Sequence, residues 1–194
     1  KHIVFDFDPF SVQGFSDNPP NRCYDCKRAI MTKIISIAQS FGTQNVLEGS
    51  HTDDLNDYRA GAKAVKELGV LSLFQTVGIS KNEIRMFSKE RGLPTWQKPS
   101  FACLASRFVH GEQITAEKLR MVEQAEELLH EIGFAQVRVR LHGNLARIET
   151  QHEDIKKIPE PEVRSIICEK FKLLGFSYVS LDLNGYRTGS MNVF

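Results

Sequence analysis

Three cysteines are the residues of this chain whose type and spacing most directly indicate chemistry. Cys23 and Cys26 form a Cys-x-x-Cys pair at the start of a helical pattern, and Cys103 lies far along the chain in a loop. At a helix N-terminus the backbone N–H groups and the helix dipole favour thiolate over thiol. Three thiolates would suit a metal ion or an iron–sulfur cluster with one open coordination position. From the spacing alone, a dithiol redox pair or unrelated thiols remain alternatives.

The fourth cysteine does not fit that set. Cys168 lies within the apolar helical pattern of residues 163–171, which predicts an ordinary buried thiol.

Acidic residues crowd a predicted turn after residues 45–49. His51, Asp53, Asp54 and Asp57 could coordinate magnesium or orient a phosphate ester at the end of a strand. The alternative is an ordinary helix N-terminus capped by Asp53 or Asp54, and the local sequence favours it.

Arginines form a second group of candidates. Arg107 follows Cys103 closely and could hold a phosphate or carboxylate beside it. Arg138 and Arg140 are two apart on a predicted strand, so they share a face, which Arg147 could join from the next strand. An anion-binding patch and a solvated basic face are equally supported.

The first half of the chain must position the cysteine pair and the acidic turn. Strand-like segments at residues 3–7, 45–49 and 71–74 alternate with helical patterns at 23–41, 54–68 and 81–92. This order predicts an α/β fold, in which a parallel sheet is covered by helices and ligands bind at the carboxyl ends of the strands. Gly49 lies at one such end.

The second half predicts a small α+β domain. Thr115 caps a long amphipathic helix that ends at Gly133, and strands at 137–141 and 145–150 are joined by a hairpin turn. Helices at 154–158 and 160–174 and a strand at 178–183 follow. Glu126 is expected on the exposed surface of the long helix, with a turn towards the arginines or a bound metal as the alternatives. The domain boundary is predicted near residues 108–112.

The composition narrows the classes of function. The chain has 194 residues, 41% of them hydrophobic and 25% charged, with a net charge of +1. These values are typical of soluble globular proteins and argue against a protein that coats nucleic acid or binds membranes through a polybasic surface. No apolar stretch is long enough to cross a membrane, and no secretory signal is visible. The small number of cysteines indicates the reducing environment of the cytoplasm.

Several segments, in order along the whole chain, resemble the LarE family. This family comprises ATP-dependent sulfur transferases of the PP-loop ATP pyrophosphatase superfamily. The segments that carry the resemblance are Asn18–Lys27, Gly49–Arg59, Lys98–Arg107, Arg138–Arg140, Ala146–Glu149 and Gly185–Asn192.

The resemblance implies a reaction. ATP adenylates a carboxylate of a pyridinium-3,5-dicarboxylate mononucleotide, and a sulfur nucleophile then displaces AMP to leave a thiocarboxylate. That product becomes part of the nickel-pincer nucleotide cofactor. Some members sacrifice a cysteine sulfur, while others use three cysteines to hold a 4Fe–4S cluster. Since Cys23, Cys26 and Cys103 are all present, we expect the cluster type.

The resemblance also implies roles for individual residues. Cys103, Ser106 and Arg107 would be catalytic, with Ser106 and Arg107 near the substrate phosphate. Arg138 and Arg140 would bind nucleotide phosphate, and Glu126 matches an acidic position of the second domain. The remaining residues expected to bind ATP and Mg²⁺ are Gly49, His51, Asp53 and Asp54.

The superfamily's pyrophosphate loop should precede Lys1, so residues 1–110 are expected to be a partial PP-loop domain. Residues 111–194 are expected to bind substrate and support assembly into a homo-oligomer.

The nearest rival interpretation is a tRNA-thiolating enzyme of the same superfamily, which the near-neutral charge disfavours. A non-catalytic zinc or redox module is another alternative. An ammonia-using synthetase would not explain three cysteines.

Overall fold

The computed structural model describes residues 2–56, 59–98, 101–187 and 189–191. The chain divides into two compact units, Lys1–Phe15 with Pro19–Pro99 and Ser16–Asn18 with Ser100–Phe194. This division falls earlier than the predicted boundary at residues 108–112. Within the described ranges, no helix has both the length and the apolar character needed to cross a membrane.

Helices dominate the first unit. Its α-helices are α1 (Arg22–Ser40), α2 (Ala60–Glu67), α3 (Leu73–Thr76) and α4 (Lys81–Glu90). Met31 of α1 packs against Val65 of α2 and the following Val70 to form a small apolar core. The partly buried residues around it are Ile34, Ile35, Val46 and Leu68.

Among the described residues of the first half, the predicted parallel sheet is reduced to one parallel bridge, between Leu47 and Leu71. The Leu71 N–H donates to the Val46 carbonyl, and the Glu48 N–H donates to the Leu71 carbonyl. The predicted strand at residues 3–7 is wrong: this segment has no regular structure, and Val4 is 78% exposed. A strand needs a neighbouring backbone, and no described segment pairs with this one.

The helix predictions for the first unit are closer to the structure. Helix α1 ends where Gly42 predicts a stop. The helix predicted over 54–68 is instead a 3₁₀ helix, Thr52–Asn56, followed by α2. The predicted capping box at α4 is confirmed, since Ser80 and Glu83 each accept a hydrogen bond from the other's backbone N–H.

The second unit is an α+β arrangement. It contains a 3₁₀ helix (Leu104–Arg107), α5 (Ala116–Glu131), β1 (Val137–His142), β2 (Leu145–Thr150), a 3₁₀ helix (His152–Lys157), α6 (Pro161–Leu174) and β3 (Tyr178–Leu181). The sheet order is β1-β2-β3; β1 and β2 are antiparallel, while β2 and β3 are parallel. The predicted hairpin is therefore confirmed, and the molecule is α/β with a small mixed sheet.

The strand register of the hairpin separates an apolar face from a polar one. Val139 pairs with Ile148 and Leu141 pairs with Ala146, and all four are fully buried. The opposite face carries the pairs Arg138–Glu149 and Arg140–Arg147. Because side chains alternate along a strand, the sequence of this hairpin places its charged residues together.

Cys168 is exposed, so its prediction as a buried thiol is wrong. Helix α6 buries Ile167 and Phe171, which are four residues apart and therefore on one face. Cys168 is one residue further round the helix and points away from that face.

Candidate active site

Cys103 lies at the start of the best-defined candidate site, which belongs to the second unit. It is exposed and immediately precedes the 3₁₀ helix Leu104–Arg107. The Ser106 N–H donates to the Cys103 carbonyl at 2.9 Å, closing a tight turn. The turn places the Cys103 thiol in solvent and the Arg107 side chain in the interior.

Arg107 is 2% exposed, and its guanidinium donates hydrogen bonds to the loop that carries Cys103. Its Nη1 donates to the carbonyls of Ala102 and Cys103 at 3.1 and 3.3 Å and to the Ser106 hydroxyl at 3.0 Å. The other side of the guanidinium faces Glu126, with Nε and Nη2 each 2.8 Å from a carboxylate oxygen. The guanidinium predicted to contact substrate is thus engaged by protein groups.

Glu126 is 7% exposed, which corrects its expected position on the helix surface. Helix α5 buries Val122, Ala125, Glu126 and Leu129. These positions follow the i, i+3, i+4, i+7 pattern of a buried helix face, so Glu126 is an acid at an interior position. That periodicity is the signal in the sequence that could have identified it.

Arg140 is 5% exposed and is fixed by Glu149 on the polar face of the hairpin. Its Nε and Nη2 lie 2.9 and 2.8 Å from Glu149 Oε2, and Nη1 donates to the Ser106 carbonyl at 3.2 Å. The predicted basic face is therefore buried and paired rather than freely solvated. Through Ser106, this face is connected directly to the loop of Cys103.

Arg138 lies beside Arg140 on the same face and is 3% exposed. Its Nη1 donates to the Val137 carbonyl, and its guanidinium lies 5.2 Å from the centre of the Tyr186 ring. Burial and the positive charge of Arg107 lower the pKa of Arg138 from its ordinary value.

Residues 185–187 and 189–191 contact all three arginines of the hairpin. Besides Tyr186 on Arg138, the Ser190 hydroxyl accepts a hydrogen bond from Arg140 and donates one to Glu149, and Met191 Sδ accepts from Arg147. Gly185 permits this arrangement, since a Cβ there would lie 2.8 Å from the Thr150 carbonyl oxygen. Sequence reasoning assigned no role to this segment or to Glu149.

Arg147 completes the predicted group, as expected from its register opposite Arg140. It contacts the Glu149 carboxylate at 3.1 Å and the Asp182 carboxylate at 3.4 Å. Glu149 therefore contacts both Arg140 and Arg147 and fixes their orientations on the polar face.

The acidic turn of the first unit brings together His51, Asp53 and Asp54. The His51 ring lies 3.5 Å from Asp53 and 3.4 Å from Asp54. Asp54 also accepts from the His51 N–H and pairs with Arg59, while Asp53 accepts from the Lys81 N–H at the start of α4. Asp53 therefore accepts from the first turn of α4, whereas α2, the helix that follows the turn, begins after Arg59 without a side-chain cap. Asp57 lies outside the described residues.

Glu48, next to Gly49, is a polar residue of this turn that sequence reasoning missed. Its carboxylate accepts from the Ser50 N–H and hydroxyl and from the Ser72 hydroxyl. Partial burial acts to raise the pKa of Glu48, but the hydrogen bonds from Ser72 and Ser50 outweigh it and lower that pKa. The Glu48 carboxylate therefore bonds to both chain segments of the parallel bridge, through Ser50 in one and Ser72 in the other.

Cys23 and Cys26 lie in the first turns of α1, three residues apart and hence on neighbouring positions of one face. Neither forms a disulfide bond; Cys23 is exposed and Cys26 is half-buried. A thiolate donor set suits an iron–sulfur cluster. Over the described ranges, however, no three His, Cys, Asp or Glu side chains are gathered in a way that could hold a metal ion.

The geometry defines an α/β protein with an exposed thiol on a loop anchored beside an arginine-bearing sheet face. No family model matches the chain. It is 44% identical over 191 residues, 98% of its length, to the uncharacterized protein slr1717 of Synechocystis. It is also 35% identical, over 95% of its length, to the pyridinium-3,5-bisthiocarboxylic acid mononucleotide synthase of Lactiplantibacillus plantarum. The uncharacterized protein MJ0830 of Methanocaldococcus jannaschii is 33% identical over 88% of the chain.

The chain belongs to the LarE family. It spans 71%, 66% and 66% of the lengths of these three relatives.

Proposed function

We propose that this chain takes part in ATP-dependent sulfur transfer to a pyridinium-dicarboxylate mononucleotide, within biosynthesis of a nickel-pincer nucleotide. A substrate carboxylate oxygen attacks the α-phosphorus of ATP, and pyrophosphate leaves. A sulfur nucleophile then attacks the acyl carbon, AMP leaves, and a thiocarboxylate remains. The support is the 35% identity to a synthase named for the bisthiocarboxylic acid product.

The observation that carries the proposal is the placement of Cys103. A residue that takes part in sulfur transfer must be reachable by the substrate, and the Cys103 thiol is exposed. Its loop is held in place by the buried Arg107. Arg140 reaches the same loop through the Ser106 carbonyl. A bound phosphate monoester at the arginine face would thus lie on the unit that carries the thiol.

The residue roles within this proposal are those that the family resemblance implies. Cys103 takes part in sulfur transfer as a ligand of the cluster proposed below, and Ser106 orients the substrate beside it. Arg138 and Arg140 bind the nucleotide phosphate, with Arg107 near it. Gly49, His51, Asp53 and Asp54 of the first unit bind ATP with Mg²⁺, whose oxygen-ligand preference fits the two carboxylates.

For the sulfur source we propose a 4Fe–4S cluster held by Cys23, Cys26 and Cys103. The support is the residue type, since thiolates are the usual ligands of such clusters and none of the three cysteines forms a disulfide bond. When bound, such a cluster would supply sulfide without consumption of a side chain. We place the protein in the cytoplasm as a homo-oligomer that acts on a small nucleotide rather than on nucleic acid.

The test is substitution of Cys103 combined with iron analysis. Protein purified without oxygen is expected to contain about four irons per chain with matching sulfide. Cys103→Ala should lower the iron content and abolish thiocarboxylate formation, whereas Cys168→Ala, a matched exposed thiol of the same unit, should leave both unchanged. An unchanged thiocarboxylate yield in Cys103→Ala would disprove the role.

A colourless, iron-free protein that still transfers sulfur once per chain would instead support sacrifice of the cysteine. Colourless protein that contains zinc and transfers no sulfur would support a non-catalytic module. Salt-dependent binding of tRNA would favour the rival tRNA-thiolating function.

A further inference from the structure

We propose that Glu126 is the positioning residue of the Cys103 loop and acts on it through Arg107. The inference deepens the proposed function and rests on it in one respect, namely that Cys103 takes part in sulfur transfer. Glu126 lies on α5, its carboxylate bonds to Arg107 and to the Val139 N–H, and Arg107 bonds in turn to the loop carbonyls.

Arg107 connects two parts of the second unit with a single planar group. Its Nε and Nη2 side contacts both oxygens of Glu126, and its Nη1 side contacts the carbonyls of Ala102 and Cys103. Because the guanidinium is planar and rigid, fixing one side fixes the other. The orientation of the Cys103 backbone is therefore set by the carboxylate of Glu126.

Glu126 is itself held at two points. It is carried by α5, and its Oε1 accepts a hydrogen bond of 2.9 Å from the Val139 N–H of β1. Val139 is in turn fully buried and paired with Ile148. A continuous series of contacts thus runs from the sheet backbone through Glu126 and Arg107 to the loop.

Burial makes this series sensitive to loss of one charge. Arg107 is 2% exposed and Glu126 is 7% exposed, so water cannot replace either partner without rearrangement. Removing one member of a buried ion pair leaves an uncompensated charge, which favours movement of the remaining group toward solvent. If Arg107 moves, the carbonyls of Ala102 and Cys103 lose the hydrogen bonds that its guanidinium donates, and the Cys103 carbonyl keeps only the Ser106 N–H.

The Ser106 amide proton reports this movement directly, because it donates to the same Cys103 carbonyl that accepts from Arg107. Hydrogen exchange of the 194-residue chain is therefore measured by NMR for Glu126→Gln. We expect exchange at Ser106 to accelerate by about tenfold or more, as for loss of a buried charge-assisted bond. The Phe176 amide, bonded to the Phe171 carbonyl elsewhere in the unit, is the internal reference and should not change.

Two further variants separate positioning from general stability. Glu127→Gln removes an exposed acid from the adjacent position of α5 and should leave Ser106 exchange unchanged. Arg107→Lys keeps a cation for Glu126 but lacks the fork that reaches two carbonyls, so it should accelerate Ser106 exchange as Glu126→Gln does. In the double variant, the acceleration of Ser106 exchange should be smaller than the sum of the two single effects, because both substitutions break the same connection between Glu126 and the loop.

The proposal is overturned if Glu126→Gln lowers the melting temperature but leaves Ser106 exchange at its original ratio to Phe176. It is also overturned if Arg107→Lys leaves that ratio unchanged. Failure of the proposed function would give a different result. Cys103→Ala would then retain thiocarboxylate formation, while Glu126→Gln would still accelerate exchange at Ser106. In steady-state assays of sulfur transfer, Glu126→Gln should lower kcat with little change in KM.

Discussion

At the scale of single residues, His142 provides a test of how charge is arranged around the hairpin. It ends β1, and its Nε2 is buried without a hydrogen-bond partner in the part of the chain that the structure describes. Burial and the positive charge of Arg147 lower the pKa of His142, although Glu112 and Glu149 act in the opposite direction. The folded protein therefore binds a proton at this site less readily than the unfolded chain does.

We predict that His142 makes folding less favourable as the solution becomes acidic. When the pKa of a histidine is lower in the folded protein than in the unfolded chain, its contribution to stability is fully present above the unfolded pKa of about 6.5. That contribution is lost as the pH falls below this value, because the unfolded chain then binds the proton more readily. Denaturant unfolding at pH 7.5 and pH 5.5 should show a smaller loss for His142→Gln than for the original chain. The exposed His152→Gln is the control, and equal losses in all three proteins would contradict the prediction.

At the scale of elements, the capping box of α4 is both predicted from sequence and present in the structure. Ser80 accepts a hydrogen bond from the Glu83 N–H, and the Ser80 N–H donates to Glu83 at 2.8 Å. Ser80→Ala should destabilise the first unit by about 1 kcal/mol, as typical of N-cap removal. Urea unfolding followed by fluorescence of Trp96, the single tryptophan of the chain, measures this.

The same helix supplies the matched control for that prediction. Ser88 lies within α4, and its hydroxyl donates back to the Ile84 carbonyl. Because alanine is the better residue inside a helix, Ser88→Ala should be neutral or slightly stabilising. A loss of stability equal to that of Ser80→Ala would show that the cap has no special effect.

Elements that depend on local signals could be predicted from the sequence, as this capping box and the hairpin of β1 and β2 show. The hairpin also placed Arg138, Arg140 and Arg147 on one face correctly, because alternation requires nothing beyond the strand itself. The strand predicted at residues 3–7 failed because pairing depends on a neighbour that local sequence does not specify. The burial of Glu126 was not predicted because a charged residue is usually exposed. Its spacing from Val122, Ala125 and Leu129 nevertheless places it on the buried face of α5.

At the scale of the whole molecule, the two units differ in how much apolar surface they bury. The core cluster of the first unit centres on Met31, Val65 and Val70. In the second unit, α5, the hairpin and α6 together bury a larger set, among them the fully buried residues Val122, Leu129, Val139, Ile148 and Phe171. Since burial of apolar area is the main favourable term in folding, the second unit should be the more resistant to unfolding.

We predict that the units open at different denaturant concentrations. The Trp96 signal of the first unit should change at lower urea than the point at which amide protons of β1 and β2 lose protection from exchange. Leu129→Ala should shift only the later transition, by an amount that corresponds to about 2–5 kcal/mol, whereas Met31→Ala should shift only the earlier one. A single coincident transition that both variants move equally would mean that the chain unfolds as one cooperative body, because two-state behaviour requires every probe to agree.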